Sequence, residues 1–393
     1  MTTEQLLVTV IYNMAKGSRV YIGFLGYGQS TAKYLPDFLD SLGQQTFTDI
    51  EIIAGDNTPT STDNPNEAII KHYSSVRYCP FQANLGFAKG YNRLFKLAIE
   101  EEADYFLVIN PDTCLQPKTI EYLVNYLDQH SEAGAVMPKI LRWDFQNKCL
   151  TKEIDSLGVA LTQSGAFYDI GQGRLDGGEP SQPCSIFGFT GAGVLLRLSA
   201  LRSVAFDNGQ YSEYFDELMF MYKEDCDLSY RLRLADWEIV LLPEAVIYHD
   251  RTAARAQGKA KNQWKERRRS SKLIRKWSYH NQLIIFFKYW FLPKKFSTRL
   301  KEINYQIKRF FFALMLEPFT LSAWRAIFQE RAAIVNQVCF YGDFFGQRDV
   351  SELANTLRGT LYEPSALQKV LDGVRVGDYF VNFSTEELLD LLY

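Results

Sequence analysis

The sequence predicts an α/β protein built on a mostly parallel sheet flanked by helices, with a helical region after it. Three observations carry this. Phe106, Leu107, Val108 and Ile109 form a short continuous apolar run, the signature of a strand covered on both faces. Strand-like and helix-like segments alternate at least four times before residue 141, which implies parallel pairing through right-handed crossovers. Carboxylates also recur where predicted strands stop, at Asp56 and Asp112, and ligands of open α/β sheets sit beyond the carboxyl ends of the strands.

In order, Val20 to Leu25 reads as the first strand, ending at Gly26-Tyr27-Gly28, which permits a tight turn or close approach of a ligand. A helix is expected from Thr31 to about Leu42, with Tyr34, Leu35, Phe38, Leu39 and Leu42 on one face. The second strand, Ile50 to Ala54, runs into Gly55-Asp56-Asn57, a site carboxylate or an Asx turn. Val76 to Tyr78 leads into Asn84-Leu85-Gly86-Phe87-Ala88-Lys89, a loop and helix start suited to presenting N–H groups to a phosphate. Asp104 to Asn110 is the next strand; Asn110 and Asp112 project from its end with Pro111 between them. A helix over Pro117 to His130 and a strand over Ala135 to Ile140 follow.

Residues 147–183 are Gly-, Ser- and Asp-rich without period and read as an irregular insertion around a short hairpin, a lid near the site. Phe187 to Gly193 sets small residues among aromatics, suiting a surface for a sugar ring or a tight turn. Between Phe215 and Leu228 five carboxylates fall within twelve residues, and a helix is predicted from Glu224 to Ala235. Strands over Glu238 to Leu242 and Val246 to Tyr248 end at His249.

Composition narrows the class. With 393 residues and 47% hydrophobic content the chain buries a large core. The six cysteines are scattered without metal-finger spacing, as in a reduced cytosolic setting. No segment reads as a signal peptide or a spanning helix. Net charge is −3, yet Arg251 to Lys276 holds eleven Lys or Arg against one acid, Glu266. Aromatics follow, from Trp277 to Phe291, then amphipathic helices over Leu300 to Leu316 and Leu321 to Phe340. Cations beside Trp, Tyr and Phe fit the surface of an anionic membrane, ahead of helices packed on the preceding domain with a solvated basic face and of nucleic-acid binding as a third reading, and two or three short helices are expected beyond Tyr341. The organisation read from this is an α/β domain over 1–250 and a basic, aromatic-rich helical region over 251–393, the latter on a membrane surface or mediating a homodimer.

Taken together, Asp56-Asn57, Asn84 to Ala88, Asn110-Pro111-Asp112-Thr113, Thr190-Gly191-Ala192, Phe215-Asp216-Glu217, Glu224-Asp225-x-Asp227-Leu228, Trp237 and His249 resemble, in order and spacing, the inverting family 2 glycosyltransferases of the GT-A fold, especially their bacterial rhamnosyltransferase-like branch. The resemblance spans about Val20 to Asn281. It implies a donor-nucleotide site at Asp56, Asn57, Asn84, Gly86, Lys89 and Asn110, and a Mg²⁺ or Mn²⁺ site at Asp112 with His249. It implies Asp225 as catalytic base with Glu224 as its supporting acid, and Thr190, Gly191, Ala192 and Trp237 on the acceptor and sugar side. Asn110 stands where the metal motif has its first Asp, a replacement shared with the rhamnosyltransferase-like branch. Gly26-Tyr27-Gly28 departs from the pair usual in relatives. The implied donor is dTDP-rhamnose, with a UDP-hexose or UDP-galactofuranose next. The implied acceptor is a glycan or lipid-linked saccharide of a bacterial surface polysaccharide, met at the cytoplasmic membrane face. Rival readings are a non-catalytic nucleotide-sugar-binding scaffold and a nucleotidyltransferase. Asp56, Asp112 and Asp225 are expected to converge on one rim of the sheet.

Overall fold

The computed structural model describes residues 20–60, 63–251, 271–290, 292 and 296–346. In chain order the elements are β1 (Val20–Gly26), α1 (Gly28–Ala32), α2 (Leu35–Gly43), β2 (Ile50–Asp56), α3 (Pro65–Ile70), β3 (Val76–Pro80), α4 (Gly86–Glu100), β4 (Tyr105–Ile109), β5 (Thr113–Leu115), α5 (Thr119–Gln129) and β6 (Ala133–Asp144). Then come β7 (Cys149–Ser156), β8 (Val159–Leu161), β9 (Phe167–Asp169), β10 (Cys184–Ser185), β11 (Gly193–Arg197), α6 (Leu198–Ser203), β12 (Phe206–Asp207), β13 (Ser212–Glu213), α7 (Glu224–Leu234), β14 (Glu238–His249), α8 (Lys272–Lys288), α9 (Phe296–Leu316) and α10 (Ser322–Gly346).

The main sheet runs β10-β14-β6-β11-β4-β1-β2-β3, with β5 on β14 and β7 on β6. Strands β3, β2, β1 and β4 are parallel neighbours, β11 is antiparallel to both β4 and β6, and β6 and β14 are again parallel. Hence β14, β6, β4, β1, β2 and β3 share one direction and their carboxyl ends share one rim. All five residues of β4 are buried, as its unbroken apolar run requires of a strand covered on both faces.

Three expectations change in detail. The single helix over Thr31 to Leu42 is two, α1 and α2, because Pro36 in the first turn of α2 has no N–H to continue a preceding helix. Tyr34, at the break, donates to Asp250 Oδ2 (2.7 Å) just past β14. The two strands after Trp237 are one strand, β14, whose register against β6 shifts between Leu242 and Val246, where Pro243 and its neighbours form a bulge. The 147–183 insertion is more ordered than its composition suggests: β7 adds an antiparallel strand to β6, and β8–β9 is the hairpin. Most of the basic segment, 252–270, and the residues past 346, where short helices were expected, lie outside the described residues.

The C-terminal helices share a core with the sheet domain. Tyr279, Leu283, Ile284 and Tyr289 of α8 and its C-terminal turn pack with Cys226, Tyr230 and Leu234 of α7 and with Val159 and Leu161 of β8. A buried polar network adds direction. Lys288 Nζ lies 2.8 Å from both Asp216 Oδ2 and Asp227 Oδ1, Arg231 Nε 2.9 Å from Asp227 Oδ2, and Gln337 Nε2 of α10 donates to Asp216 Oδ1 (3.0 Å). Burial alone would raise the Asp227 carboxyl; the charges of Lys288 and Arg231 outweigh it and hold it below the ordinary range.

Removing one partner of such a buried network leaves uncompensated charge. Lys288→Ala is expected to cost on the order of 3–5 kcal/mol in denaturant unfolding. Because Asp227 is depressed in the fold, its contribution is present above its unfolded pKa of about 4 and is lost as pH falls further. Acid unfolding of the wild-type chain therefore steepens below that pH, and Lys288→Ala blunts the dependence.

Candidate active site

The parallel strand ends place the predicted residues. Gly26 and Asp56 are register partners at the ends of β1 and β2, on the rim where β4 ends. Asp56 is buried and accepts four hydrogen bonds: Thr58 N (2.9 Å) and Thr58 Oγ1 (2.6 Å) on Oδ1, Asn64 Nδ2 (2.9 Å) and Tyr78 OH (2.9 Å) on Oδ2. Its acceptor capacity is taken up by the chain's own donors. Asn57 ties the β2 end to the start of α4: Nδ2 donates to Gly86 O (3.0 Å) and Oδ1 accepts from Leu85 N (3.0 Å). Asn84 Oδ1 accepts from Gly86 N (3.0 Å), while Lys89 lies 3.5 Å from Glu217. Gly86 has φ +76°, and a Cβ there would sit 2.3 Å from Phe220 O, so the start of α4 admits only glycine beneath the 213–223 segment.

After β4, Asn110 N donates to Ala192 O (3.2 Å), which seats the Asn-Pro-Asp turn beside the loop before β11. Asp112 Oδ1 faces His249 Nε2 at 3.4 Å, and His249 Nδ1 lies 2.8 Å from Asp155 Oδ2. Burial alone would lower the His249 imidazole; the carboxylates of Asp112 and Asp155 outweigh it and push it up to about 10. Asp155, at the end of β7, also pairs with Arg142 (3.3 Å) and Arg251 (3.5 Å), and Arg251 continues to Asp169 of β9 (2.9 Å).

The third wall is the start of α7. Asp225 Oδ2 accepts from Gly191 N (3.0 Å) and Oδ1 from Cys226 N (2.8 Å). Burial pushes the Asp225 carboxyl up, against the pull of those two N–H donors. Glu224 is buried, its Oε2 has no hydrogen-bond partner, and burial beside Asp225 raises it well above the carboxylate range. Tyr222 and Lys223, immediately before α7, both adopt left-handed backbone (φ 73° and 71°), a strained pair for residues with side chains. Asn281 of α8 holds them, donating from Nδ2 to Met221 O (2.9 Å) and Tyr222 O (2.6 Å). Lys223 Nζ sits 5.0 Å over the Phe167 ring of the β8–β9 hairpin.

The structure thus joins Asp225, Gly191, Ala192, Asn110, Asp112 and His249 by direct contacts on one rim, with Asp56 and Asn57 on the same rim beyond β1. Thr190, whose carbonyl accepts from Gly193 N, belongs to the same loop. Trp237 is a correction. It precedes β14, donates Nε1 to Ser203 Oγ (2.9 Å) and packs over Gly134, at the opposite end of the sheet. The length of β14, on the order of 30 Å at 3.3 Å per residue, separates it from His249, so it supports the fold and not a sugar. Asp155, Asp169, Lys223, Arg251 and Asn281 were not singled out beforehand. The insertion that supplies Asp155 and Asp169 has no periodicity to mark them, and Asn281 acts through backbone carbonyls that leave no motif.

As to a divalent cation, no group of three His, Cys, Asp or Glu side chains among the described residues is placed to hold one. Asp112 and His249 still fit such an ion in part. The imidazole is anchored through Nδ1 by the Asp155 carboxylate and turns Nε2 toward Asp112, so a cation bound there would take the place of the Nε2 proton that the carboxylates favour. Hard cations in phosphoryl sites are commonly held by one or two protein groups plus substrate phosphates.

The strand order, with parallel carboxyl ends meeting on one rim where acids gather, is that of an α/β fold that binds its ligand beyond the strand ends. The chain belongs to glycosyl transferase family 2, whose family pattern matches residues 27–189. It is 31% identical over 237 residues to an N-acetylglucosaminyl-diphospho-decaprenol L-rhamnosyltransferase of Mycobacterium tuberculosis, covering 56% of this chain and 73% of that one. Two solved structures overlay loosely. One is GalNAc-T7 with UDP, GalNAc and Mn²⁺ (TM-score 0.47, 12% identity, 73% of this chain and 54% of that). The other is S. aureus TarS (0.44, 15%, 78% and 47%). A separate match lies at the C-terminus: residues 326–392 fit the pattern described as bacterial lipoate protein ligase C-terminus. There the chain is 51% identical over 53 residues to lipoate-protein ligase LplJ of Bacillus subtilis. That stretch is 16% of the ligase's length, too small a share for its activity to come with it.

Gly86→Ala should strain the backbone and displace Phe220, costing on the order of 1–3 kcal/mol and weakening nucleotide binding. Denaturant unfolding and nucleotide titration read the two effects.

Proposed function

We propose that this glycosyltransferase is inverting and divalent-cation-dependent, and that it moves rhamnose from dTDP-rhamnose to a hydroxyl of a lipid-linked saccharide in surface-polysaccharide synthesis. The observation that carries the mechanism is Asp225, aimed by the Gly191 N–H and linked through Ala192 and Asn110 to Asp112. A sugar hydroxyl is a poor nucleophile, so a carboxylate must take its proton as oxygen attacks the anomeric carbon. Asp225 does this; its burial-raised pKa makes it a stronger base than an exposed aspartate. The C–O bond forms on the face opposite the departing nucleoside diphosphate, whose bond to the sugar breaks, and the anomeric centre inverts. Burial and the neighbouring Asp225 push the Glu224 carboxyl well above the usual carboxylate range, which disfavours a second negative charge beside the base. Asp112 and His249 would hold the Mg²⁺ or Mn²⁺, which supplies charge neutralisation for the leaving diphosphate when bound.

The name of the mycobacterial relative supports both the rhamnosyl donor and a lipid diphosphate acceptor. Work on such an acceptor fits a cytoplasmic position at the membrane face.

Asp225→Asn should lower kcat by roughly 10²–10⁴ with nucleotide affinity kept; wild-type turnover would remove the base assignment. Because burial raises Asp225, the acidic limb of kcat/KM lies above the ordinary carboxylate range near pH 4. Activity falls as pH drops through it. Screening dTDP-rhamnose, UDP-glucose and UDP-galactofuranose for thermal stabilisation with Mn²⁺ tests the donor. Stabilisation by a UDP-sugar alone would overturn the rhamnose reading, and Asp112→Ala should abolish the Mn²⁺ dependence.

A further inference from the structure

Helix α9 is amphipathic the wrong way round for a soluble protein. Its inward face buries Glu302, Gln306 and Arg309 beside Phe312 and Ala313. Its outward face exposes Phe296, Leu300, Ile303, Ile307, Phe311 and Met315 at helical spacing, with Phe296 76% and Met315 72% exposed. Lys301 is the only charged residue of α9 that is exposed, with Lys308 and Arg299 half-buried. The stripe is about 28 Å long at 1.5 Å per residue, and Phe328 (66% exposed) and Val335 present further apolar surface on α10. Leaving so many large apolar side chains in water is costly, so this face marks an interaction surface.

The charge around it says what covers it. From 271 to 341 the chain has twelve Lys or Arg and three acids. All three acids are buried or paired: Glu302 is buried, Glu317 is buried against Arg275 (2.7 Å), and the half-buried Glu330 faces His280 (2.8 Å). Lys272, Lys301, Arg325 and Arg331 are exposed. An apolar stripe on a helical region whose exposed charges include these cations matches an anionic lipid surface, and a second copy would bring like charge against like. No helix among the described residues is long and apolar enough to cross a membrane. We infer that α9 lies in the plane of an anionic phospholipid bilayer with its Phe296–Met315 face in the acyl boundary.

The geometry gives this a use. Gln282 Nε2 donates to Gly165 O (2.9 Å) and Lys301 Nζ to Gln163 Oε1, so α8 and α9 clasp the β8–β9 hairpin. That hairpin carries Phe167, beneath Lys223, and Asp169, whose charge reaches Asp225. The helix that would rest on the bilayer thus packs, by its opposite face, on the hairpin beside the Asp225 wall.

The test is co-sedimentation of the full chain with phosphatidylglycerol/phosphatidylcholine vesicles, without donor or acceptor, so it stands apart from the sugar assignment. The wild type should bind the anionic vesicles, and Ile303→Ser/Ile307→Ser/Phe311→Ser should lower its partition coefficient at least tenfold with an unchanged or higher melting temperature. Unaltered vesicle binding by the variant overturns the inference. A wild-type dimer that the variant converts to monomer, without vesicle binding, assigns the face to a second copy and overturns it. Absent vesicle binding with a lower variant melting temperature assigns it to the chain's own C-terminal residues and overturns it too.

Discussion

The hydrogen bond from Gly191 N–H to Asp225 is the link on which the site depends. It joins a helix that belongs partly to the C-terminal core to a loop between β10 and β11 that belongs to the sheet. The same loop holds Asn110 through Ala192 O. A displacement of α7 therefore changes the distance from Asp225 to Asp112, which in the proposed mechanism is the distance a donor sugar would span. Parallel strands ending on one rim bring the acids into the same neighbourhood; this backbone N–H sets the direction in which one of them points.

Holding α7 there has a cost that the rest of the chain offsets. Tyr222 and Lys223 sit in left-handed backbone worth of order 1–3 kcal/mol of strain each, and Glu224 buries an oxygen without a partner. Such features persist only where surrounding structure over-determines them. Asn281 caps the strained carbonyls, and Lys288 and Gln337 fix Asp216 and Asp227 on either side of the segment. The C-terminal helices are thus the brace of the wall that carries Asp225, which makes a division of the chain at residue 250 a division of sequence character and not of packing.

What could be read beforehand follows the same physics. β4 and Asp112 were legible because an apolar run that stops at Asn-Pro-Asp is a local pattern. Glu224 and Asp225 were legible because acids crowd a helix start. Asp155 was not: its partners His249, Arg142 and Arg251 come from other strands, and nothing local distinguishes it from the polar residues around it. Trp237 misled because its position relative to the helix before it fits a motif, while the direction of β14 decides which end of the sheet it occupies.

Helix α9 shows a limit of periodicity as evidence. A 3.6-residue apolar stripe over Leu300 to Leu316 marks a helix with one greasy side, and the natural inference is that this side faces the core. Here the packed side carries Glu302, Gln306 and Arg309, because the surface it meets, the β8–β9 hairpin and α8, offers polar groups such as Tyr279 O, which accepts from Arg309. Periodicity fixes that two faces differ; which one turns inward is settled by what the neighbouring elements present. A helix that gives its polar face to the protein leaves its apolar face for a phase outside it, and the exposed cations of α8, α9 and α10 match an anionic one.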